Sequence, residues 1–176
     1  MKKINIIFFL SLFLINACSK EDKKISVIKE TRQDLEMISA YKEGYIALNQ
    51  GDPFFAAKKF LEAELLFPQS KWAPRSALMA SYSYYMQNYY AEAIANLEQL
   101  LLNNSKWSYL WRLLAKASSK INKKGISYIA LAEEALIKKN FIKAKKYVDL
   151  ANKQSSIPSS YKLRGKDILA RMKIKK

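Results

Sequence analysis

Residues 51–68, GDPFFAAKKFLEAELLFP, decide the fold of this chain. The stretch opens on glycine, aspartate and proline, a combination that ends one helix and starts the next. Small and aromatic residues then recur at helical spacing until a second proline closes the stretch. In a frame of about 34 residues that begins at Met37, positions 8, 15, 20, 24, 27 and 32 are occupied by Gly44, Gly51, Ala56, Phe60, Ala63 and Pro68.

Such a frame is similar to the tetratricopeptide repeat, in which small residues let two helices cross closely and a large residue fills the adjoining gap. A second frame begins at Pro74, with Ala77, Tyr84, Ala93 and Leu97 at matching positions. A third frame begins at Gly125 and places Ala132, Ala144 and Ala151 in the same way. Between the second and third frames, residues 107–120 are predicted to form an additional helix, and residues 159–172 a capping helix.

The remaining sequence is helical in pattern throughout. Apolar residues recur every three or four residues from Ile25 onwards, and no segment alternates as a half-buried strand does. Only four glycines and four prolines occur, which argues against a β-sandwich with its many tight turns. We therefore predict an all-α solenoid of antiparallel helical hairpins, with seven or eight helices after a signal peptide.

The N-terminus carries an export signal. Lys2 and Lys3 precede the apolar run 4–15, and Cys18 follows directly after Asn16 and Ala17. The run is too short to span a bilayer as a helix. Residues 14–18 resemble the lipobox of bacterial lipoproteins, which implies cleavage before Cys18 and acylation of that cysteine; an ordinary cleaved signal with an incidental cysteine is the alternative. We thus predict that residues 1–18 are a signal peptide and that 19–36 comprise a polar linker and the start of the first helix.

Several kinds of chemistry are missing from the sequence. It contains no histidine, which excludes His-dependent triads and histidine-bearing zinc sites. Its one cysteine is Cys18, and its four glycines are too scattered for a phosphate-binding loop. Glu133 and Glu134 are adjacent on a helix and point in different directions, so we expect them on a solvated face. We predict no enzymatic activity, no cofactor and no metal.

The net charge of +16 is concentrated in one half of the chain. Residues 19–104 hold ten Lys and Arg against eleven Asp and Glu, whereas residues 105–176 hold nineteen against four. Anionic lipid headgroups or an acidic protein domain suit this basic half better than nucleic acid does, because the chain is exported; a merely solvated lysine-rich face is the alternative. Its basic residues include Lys138, Lys139, Lys143, Lys145, Lys146, Lys162, Arg164, Lys166, Arg171 and Lys173.

The first helix of each repeat lines a concave groove in tetratricopeptide proteins. By this resemblance, positions 2, 5, 9, 12 and 13 of each frame face the groove. The aromatic and aliphatic side chains there suit an extended peptide with aromatic residues; packing between helices is the alternative for any one of them. The groove residues are Ile38, Tyr41, Tyr45, Leu48 and Asn49 in the first repeat, and Arg75, Leu78, Tyr82, Tyr85 and Met86 in the second.

Residues 67–85, FPQSKWAPRSALMASYSYY, together with the Gly51-Asp52 turn, Ala56, Phe60 and the lipobox, resemble the BamD family of outer-membrane assembly lipoproteins. The resemblance implies a lipid anchor, periplasmic tetratricopeptide repeats and a place in the β-barrel assembly machinery. It also implies that the N-terminal repeats recognise unfolded outer membrane proteins and that later repeats dock other subunits.

This resemblance covers about residues 1–104. From Trp107 onwards, residues 111–115 and 130–136 are instead similar to the repeat-containing tail of periplasmic HExxH metalloproteases, without the catalytic domain. The charge jump at the same place predicts a junction near Asn103. We thus expect two repeats in 37–104, a basic repeat-like segment in 105–176, and a lipid-anchored scaffold on the periplasmic face of the outer membrane; the alternative is a lipoprotein adaptor for a periplasmic protease or a cell-wall enzyme.

Overall fold

A computed structural model of the protein describes residues 22–174, and side chains from Asp34 to Lys173. Residues 36–176 and 1–35 are two compact units, and the packing described below belongs to the first. Cys18 and the predicted signal peptide lie outside the described residues. The described residues form eight helices and no strand: α1 Asp22–Asn49, α2 Pro53–Leu66, α3 Ala73–Met86, α4 Tyr90–Asn104, α5 Ser108–Lys120, α6 Lys124–Ile137, α7 Phe141–Asn152 and α8 Ser159–Ile174. The predicted all-α fold is confirmed.

Four turns of one design join successive helices. Each contains one residue in the left-handed conformation: Gly51 at φ 81°, Asn88 at 64°, Asn122 at 60° and Lys139 at 58°. The next N–H then donates to the carbonyl five residues back, as Asp52 does to Ala47 at 2.9 Å. This bond satisfies a carbonyl that the ended helix leaves without a partner. The same bond closes the other three turns, at 2.8 to 2.9 Å.

The positions of these turns set the phase of the repeats. Gly51 and Asn88 stand at position 15 of the first two frames, and Asn122 takes that position if a third frame begins at Ser108. Ala115 then falls at position 8 and Ser127 at position 20, and both are buried. The segment 107–120, predicted as an additional helix, therefore also fits the first helix of a third repeat, with α6 as its second.

Helix α6 belongs to two hairpins at once. The frame that begins at Gly125 also agrees with the structure. Lys139, a residue of the left-handed turns, occupies its position 15, and Ala132 and Ala144 are fully buried. Helix α6 accordingly packs against α5, α7 and α8. Two repeats overlap by one helix, and α6 is buried on most of its circumference as a result.

Close helix crossings depend on small residues, as the frame requires. The ring of Phe60 on α2 is fully buried against Gly44 on α1, where a Cβ atom would lie 3.0 Å from the ring. A similar contact joins Gly125 to Ile157, where the corresponding distance is 2.9 Å. Burying a side chain such as Phe60 contributes about 1.5–3 kcal/mol, and that contribution needs the close approach that glycine permits.

Among the described residues, no helix combines the length and the apolar character that crossing a bilayer requires.

Candidate functional site

The first helices of the three repeats carry the candidate site. In α1, α3 and α5, positions 2, 5, 9, 12 and 13 of each frame follow one stripe, because residues three and four apart share a helix face. We call this stripe across the three helices the concave face, after the surface that the same positions line in tetratricopeptide proteins. Its residues in α1 and α3 are those predicted from the sequence.

Exposed side chains mark the middle and the end of the stripe in α1 and α3. Position 9 holds Tyr45, 52% exposed, and Tyr82, 38% exposed. Position 13 holds Asn49 and Met86, and both are exposed. Exposed tyrosine and methionine side chains offer apolar contact area, and the phenol adds a hydrogen-bonding group. These side chains are free to contact a bound chain.

Other predicted groove residues are half-buried between helices. Tyr41 packs edge-on against Phe60, with ring centroids 5.3 Å apart, and against Trp72 at 5.6 Å. Burial raises the pKa of the Tyr41 phenol above its ordinary value. Tyr85 packs edge-on against Tyr90 at 5.4 Å. Each of these tyrosines supports the core while presenting part of its surface.

Aliphatic positions and the arginine complete this part of the stripe. Leu48 packs against the cluster around Phe60, and Leu78 against the cluster of α4 and α5. Arg75 is exposed and lies over the Trp72 ring, with its guanidinium carbon 4.9 Å from the centroid. Ile38 is 37% exposed. The stripe therefore mixes exposed contact residues with side chains that hold the helices together.

Helix α5 continues the stripe with different chemistry. With Ser108 as position 1, its stripe residues are Tyr109, Arg112, Lys116, Ser119 and Lys120, and all five are exposed. A shallow cavity of about 540 Å³ lies between α3, α5 and α6 and is lined by Tyr85, Arg112, Lys116 and Leu131, among others. The concave face is thus aromatic and apolar in α1 and α3 and basic in α5. The groove predicted from the sequence stopped at α3 and did not include α5, although Trp111 and Ala115 occupy positions 4 and 8 of the frame that begins at Ser108.

Glu134 fixes the orientation of the basic end. Its carboxylate accepts a hydrogen bond from Arg112 Nε at 2.7 Å and another from Lys138 Nζ at 2.6 Å. Burial raises the pKa of Glu134, but these two hydrogen bonds outweigh that effect and hold the pKa below its ordinary value. Arg112 is thereby held at the rim of the cavity, while Lys116 and Lys120 have no carboxylate within 4 Å among the described residues.

The expectation that Glu133 and Glu134 lie on a solvated face is wrong. Glu133 is 2% exposed and Glu134 is 8% exposed. They do point in different directions: Glu134 faces Arg112 on α5, whereas Glu133 faces Arg164 and Arg171 on α8. Because α6 is enclosed by three helices, only charged partners make these positions tolerable for carboxylates. In the part of the chain with described side chains, no three Cys, Asp or Glu residues are grouped to hold a metal ion.

These observations define a class of protein, a helical-repeat protein with an aromatic and basic concave face. Comparison with known proteins gives the family. Residues 33–120, half of the chain, match the family model YfiO, described as outer membrane lipoprotein, and the chain belongs to that family. It is similar to the "Outer membrane protein assembly factor BamD" of Caulobacter vibrioides, with 34% identity over 87 residues. That alignment covers 49% of this chain and 28% of the relative.

The matched residues contain the whole concave face. They run from Gln33 in α1 to Lys120 at the end of α5, so they cross the junction predicted near Asn103 and include α5, the last of the three helices that carry the concave face. The resemblance to the BamD family had been predicted to end at about residue 104, before α5. The likeness of the last helices to metalloprotease tails stays a prediction, and so do the domain limits and the roles of the groove residues.

Proposed function

We propose that this chain is a lipid-anchored scaffold of the outer-membrane β-barrel assembly machinery. Its concave face would bind unfolded outer membrane proteins and assist their insertion, and the acylated Cys18 would hold it on the periplasmic face of the outer membrane. Its partners would be other assembly subunits and unfolded substrates. The supporting observation is that one family match spans the complete concave face, from α1 to α5.

The chemistry of the concave face fits an unfolded barrel strand. Strands that will face lipid carry aromatic and aliphatic side chains at alternate positions. Tyr45, Tyr82 and Met86 offer exposed aromatic and thioether surface for such side chains. Beyond them, Lys116 and Lys120 would attract carboxylates of the same bound chain.

A binding experiment separates contact residues from core residues. Tyr82→Ala with Met86→Ala removes two exposed side chains and leaves the half-buried Tyr85 in place. We expect the affinity of the purified full-length protein for a fluorescent barrel-strand peptide to fall by at least about tenfold, because contact residues of this kind contribute more than about 1 kcal/mol each. Fluorescence anisotropy measures the loss.

The matched control removes exposed apolar side chains from the second helices. Leu65 on α2 is 78% exposed and Leu102 on α4 is 74% exposed, and neither belongs to the concave face. Leu65→Ala with Leu102→Ala should leave peptide affinity unchanged. Equal losses in both double variants, or no loss in either, would reject the concave face as the binding surface.

Purification of native complexes tests the cellular role. The full chain carrying an affinity tag is extracted from membranes in mild detergent, and its partners are identified by mass spectrometry. Recovery of the barrel-bearing assembly subunit is the expected result. A periplasmic protease or a cell-wall enzyme recovered without that subunit would instead support the adaptor function.

A further inference from the structure

Helix α7 presents a basic stripe on its outer face. Lys145, Lys146, Asp149 and the C-cap residue Lys153 lie three, four, seven and eleven residues after Ile142, so all five share one side of the helix. All five are exposed. The stripe from Ile142 to Lys153 is about 16 Å long at 1.5 Å per residue. We call it the α7 stripe.

Two groups of basic residues in the C-terminal half differ in their partners. Arg112, Lys138, Arg164 and Arg171 pair with carboxylates of α6 or α8 and hold the helices together. The three lysines of the α7 stripe have no carboxylate within 4 Å in the described part of the chain, and neither do Lys139 and Lys143 near its start. The first group acts within the fold, and the second leaves its charge for an external partner.

The stripe borders a shallow, open groove of about 590 Å³. Apolar side chains form its floor and edges, namely Phe141, Ile142 and Leu150 from α7 and Met172 from α8. Ile142 is 86% exposed, more than any other large apolar side chain whose exposure the structure describes. Apolar contact together with electrostatic attraction to anionic lipids binds helices at a membrane interface, and the stripe offers one protruding isoleucine and three unpaired lysines for these two interactions.

We propose that the α7 stripe docks on an anionic phospholipid surface. Ile142 enters the headgroup layer, while Lys145, Lys146 and Lys153 contact lipid phosphates. Lysine suits this role because its compact ammonium binds phosphate as a point charge and needs no fixed bidentate geometry. The exposed Ile142 favours a lipid surface over an acidic protein domain, because an acidic surface would meet the lysines but offer no apolar layer for the isoleucine to enter. The proposal is independent of what the concave face binds.

Lysine acetylation in vesicles tests the proposal on the full-length protein. The protein is reconstituted into phosphatidylethanolamine vesicles containing phosphatidylglycerol, and in parallel into neutral phosphatidylcholine vesicles. A water-soluble acetylating reagent is added, and mass spectrometry gives the rate at each lysine. We expect the rates at Lys145, Lys146 and Lys153 to be at least about fivefold lower on anionic vesicles, since one lysine near such a surface contributes about that factor. High salt should remove the difference.

Two exposed lysines on α1 and α2 provide the internal reference. Lys42 and Lys58 should react at the same rate on both kinds of vesicle. Uniform slowing of all lysines would mean general accumulation at the membrane and would overturn the proposal. Protection in native membranes but not in vesicles that contain this protein and lipid alone would identify an acidic protein as the partner, and would also overturn the proposal.

A charge-reversal pair completes the design. Lys145→Glu with Lys146→Glu should restore the acetylation rate of Lys153 on anionic vesicles to its value on neutral ones. Lys42→Glu with Lys58→Glu changes the net charge equally and should leave Lys153 protected. Circular dichroism verifies that both variants are folded. Continued protection of Lys153 in the first pair would overturn the proposal.

Discussion

The first two repeats and the C-terminal half are held together by different means. In α1 to α4, alanines and Gly44 bring the helices close around Phe60, and the ion pairs of Lys59 with Glu43 and Glu62 lie at the surface. In α5 to α8, two carboxylates of α6 are buried, and each is paired with cations from other parts of the fold. The first half relies on apolar packing and leaves aromatic side chains for contact, whereas the second places charge inside its own interfaces.

Hydrogen bonds and ion pairs of buried or half-buried polar side chains join α8 to the helices before it. Tyr161 donates a hydrogen bond to Glu98 on α4, and burial and this bond both raise the pKa of the phenol far above its ordinary value. Arg164 lies over the Trp111 ring of α5, with its guanidinium carbon 4.9 Å from the centroid, and also reaches Glu133. One helix thereby contacts α4, α5 and α6; that it caps the array stays a prediction.

The ion pairs of Glu133 with Arg164 and Arg171 should give the largest difference in stability between the two halves. Arg164→Ala with Arg171→Ala leaves the Glu133 side chain, which is 3% exposed, without its cations. We expect the free energy of unfolding to fall by about 3 kcal/mol, because a buried charge without a partner is costly. In the first half, Lys59→Ala breaks pairs with carboxylates that are 46% and 44% exposed, and should cost only a fraction of that. Urea unfolding of both variants gives the comparison.

A third substitution shows whether charge or packing causes the loss. Adding Glu133→Gln to the double arginine variant removes the unpaired charge and nearly conserves side-chain volume. Much of the lost stability should return. If none returns, the loss reflects the contact of Arg164 with Trp111 rather than the isolated carboxylate.

Acid should weaken the second half through Glu134. Its pKa is lower in the folded state than in the unfolded chain, so the stabilisation is complete above the ordinary glutamate pKa, about 4.3, and is lost as pH falls through the folded value. For one carboxyl group the loss cannot exceed about 1.4 kcal/mol per pH unit. Urea unfolding from pH 6 to pH 3 should therefore show a shallower pH dependence for Glu134→Gln than for the unchanged protein.

An exposed carboxylate provides the control for this measurement. Glu92→Gln removes an acidic group at the start of α4 that has no cation within 4 Å among the described residues. The pH dependence of its stability should follow that of the unchanged protein. A profile as shallow as that of Glu134→Gln would show that acid acts through overall charge and not through the pairs of Arg112 and Lys138.

The sequence predicted local geometry better than it predicted the partners of charges. Gly51, Phe60 and Pro68 stand at fixed positions because a left-handed turn, a close helix crossing and a helix end each admit few residue types, so the all-α repeat fold could be read from their spacing. The exposure of Glu133 and Glu134 was predicted wrongly because a carboxylate is normally exposed, and three of their four cations lie more than twenty residues away along the chain. The third repeat was missed because Ser127 stands at position 20, where the other frames hold alanine, and Lys139 at position 32, where the first frame holds Pro68. Its turn residue, Asn122, would have revealed the phase.

The turns provide the smallest test, and they compare the two halves at identical geometry. Gly51 and Lys139 both have positive φ, at 81° and 58°, but only glycine adopts this conformation without steric cost. Lys139→Gly should therefore raise the free energy of unfolding by about 0.5–1 kcal/mol, and Gly51→Ala should lower it by about 1 kcal/mol. Asn88→Gly should change it less than Lys139→Gly does, because asparagine tolerates the left-handed region. Thermal unfolding resolves such differences; a destabilised Lys139→Gly would mean that the lysine side chain contributes more to stability than its strained backbone costs.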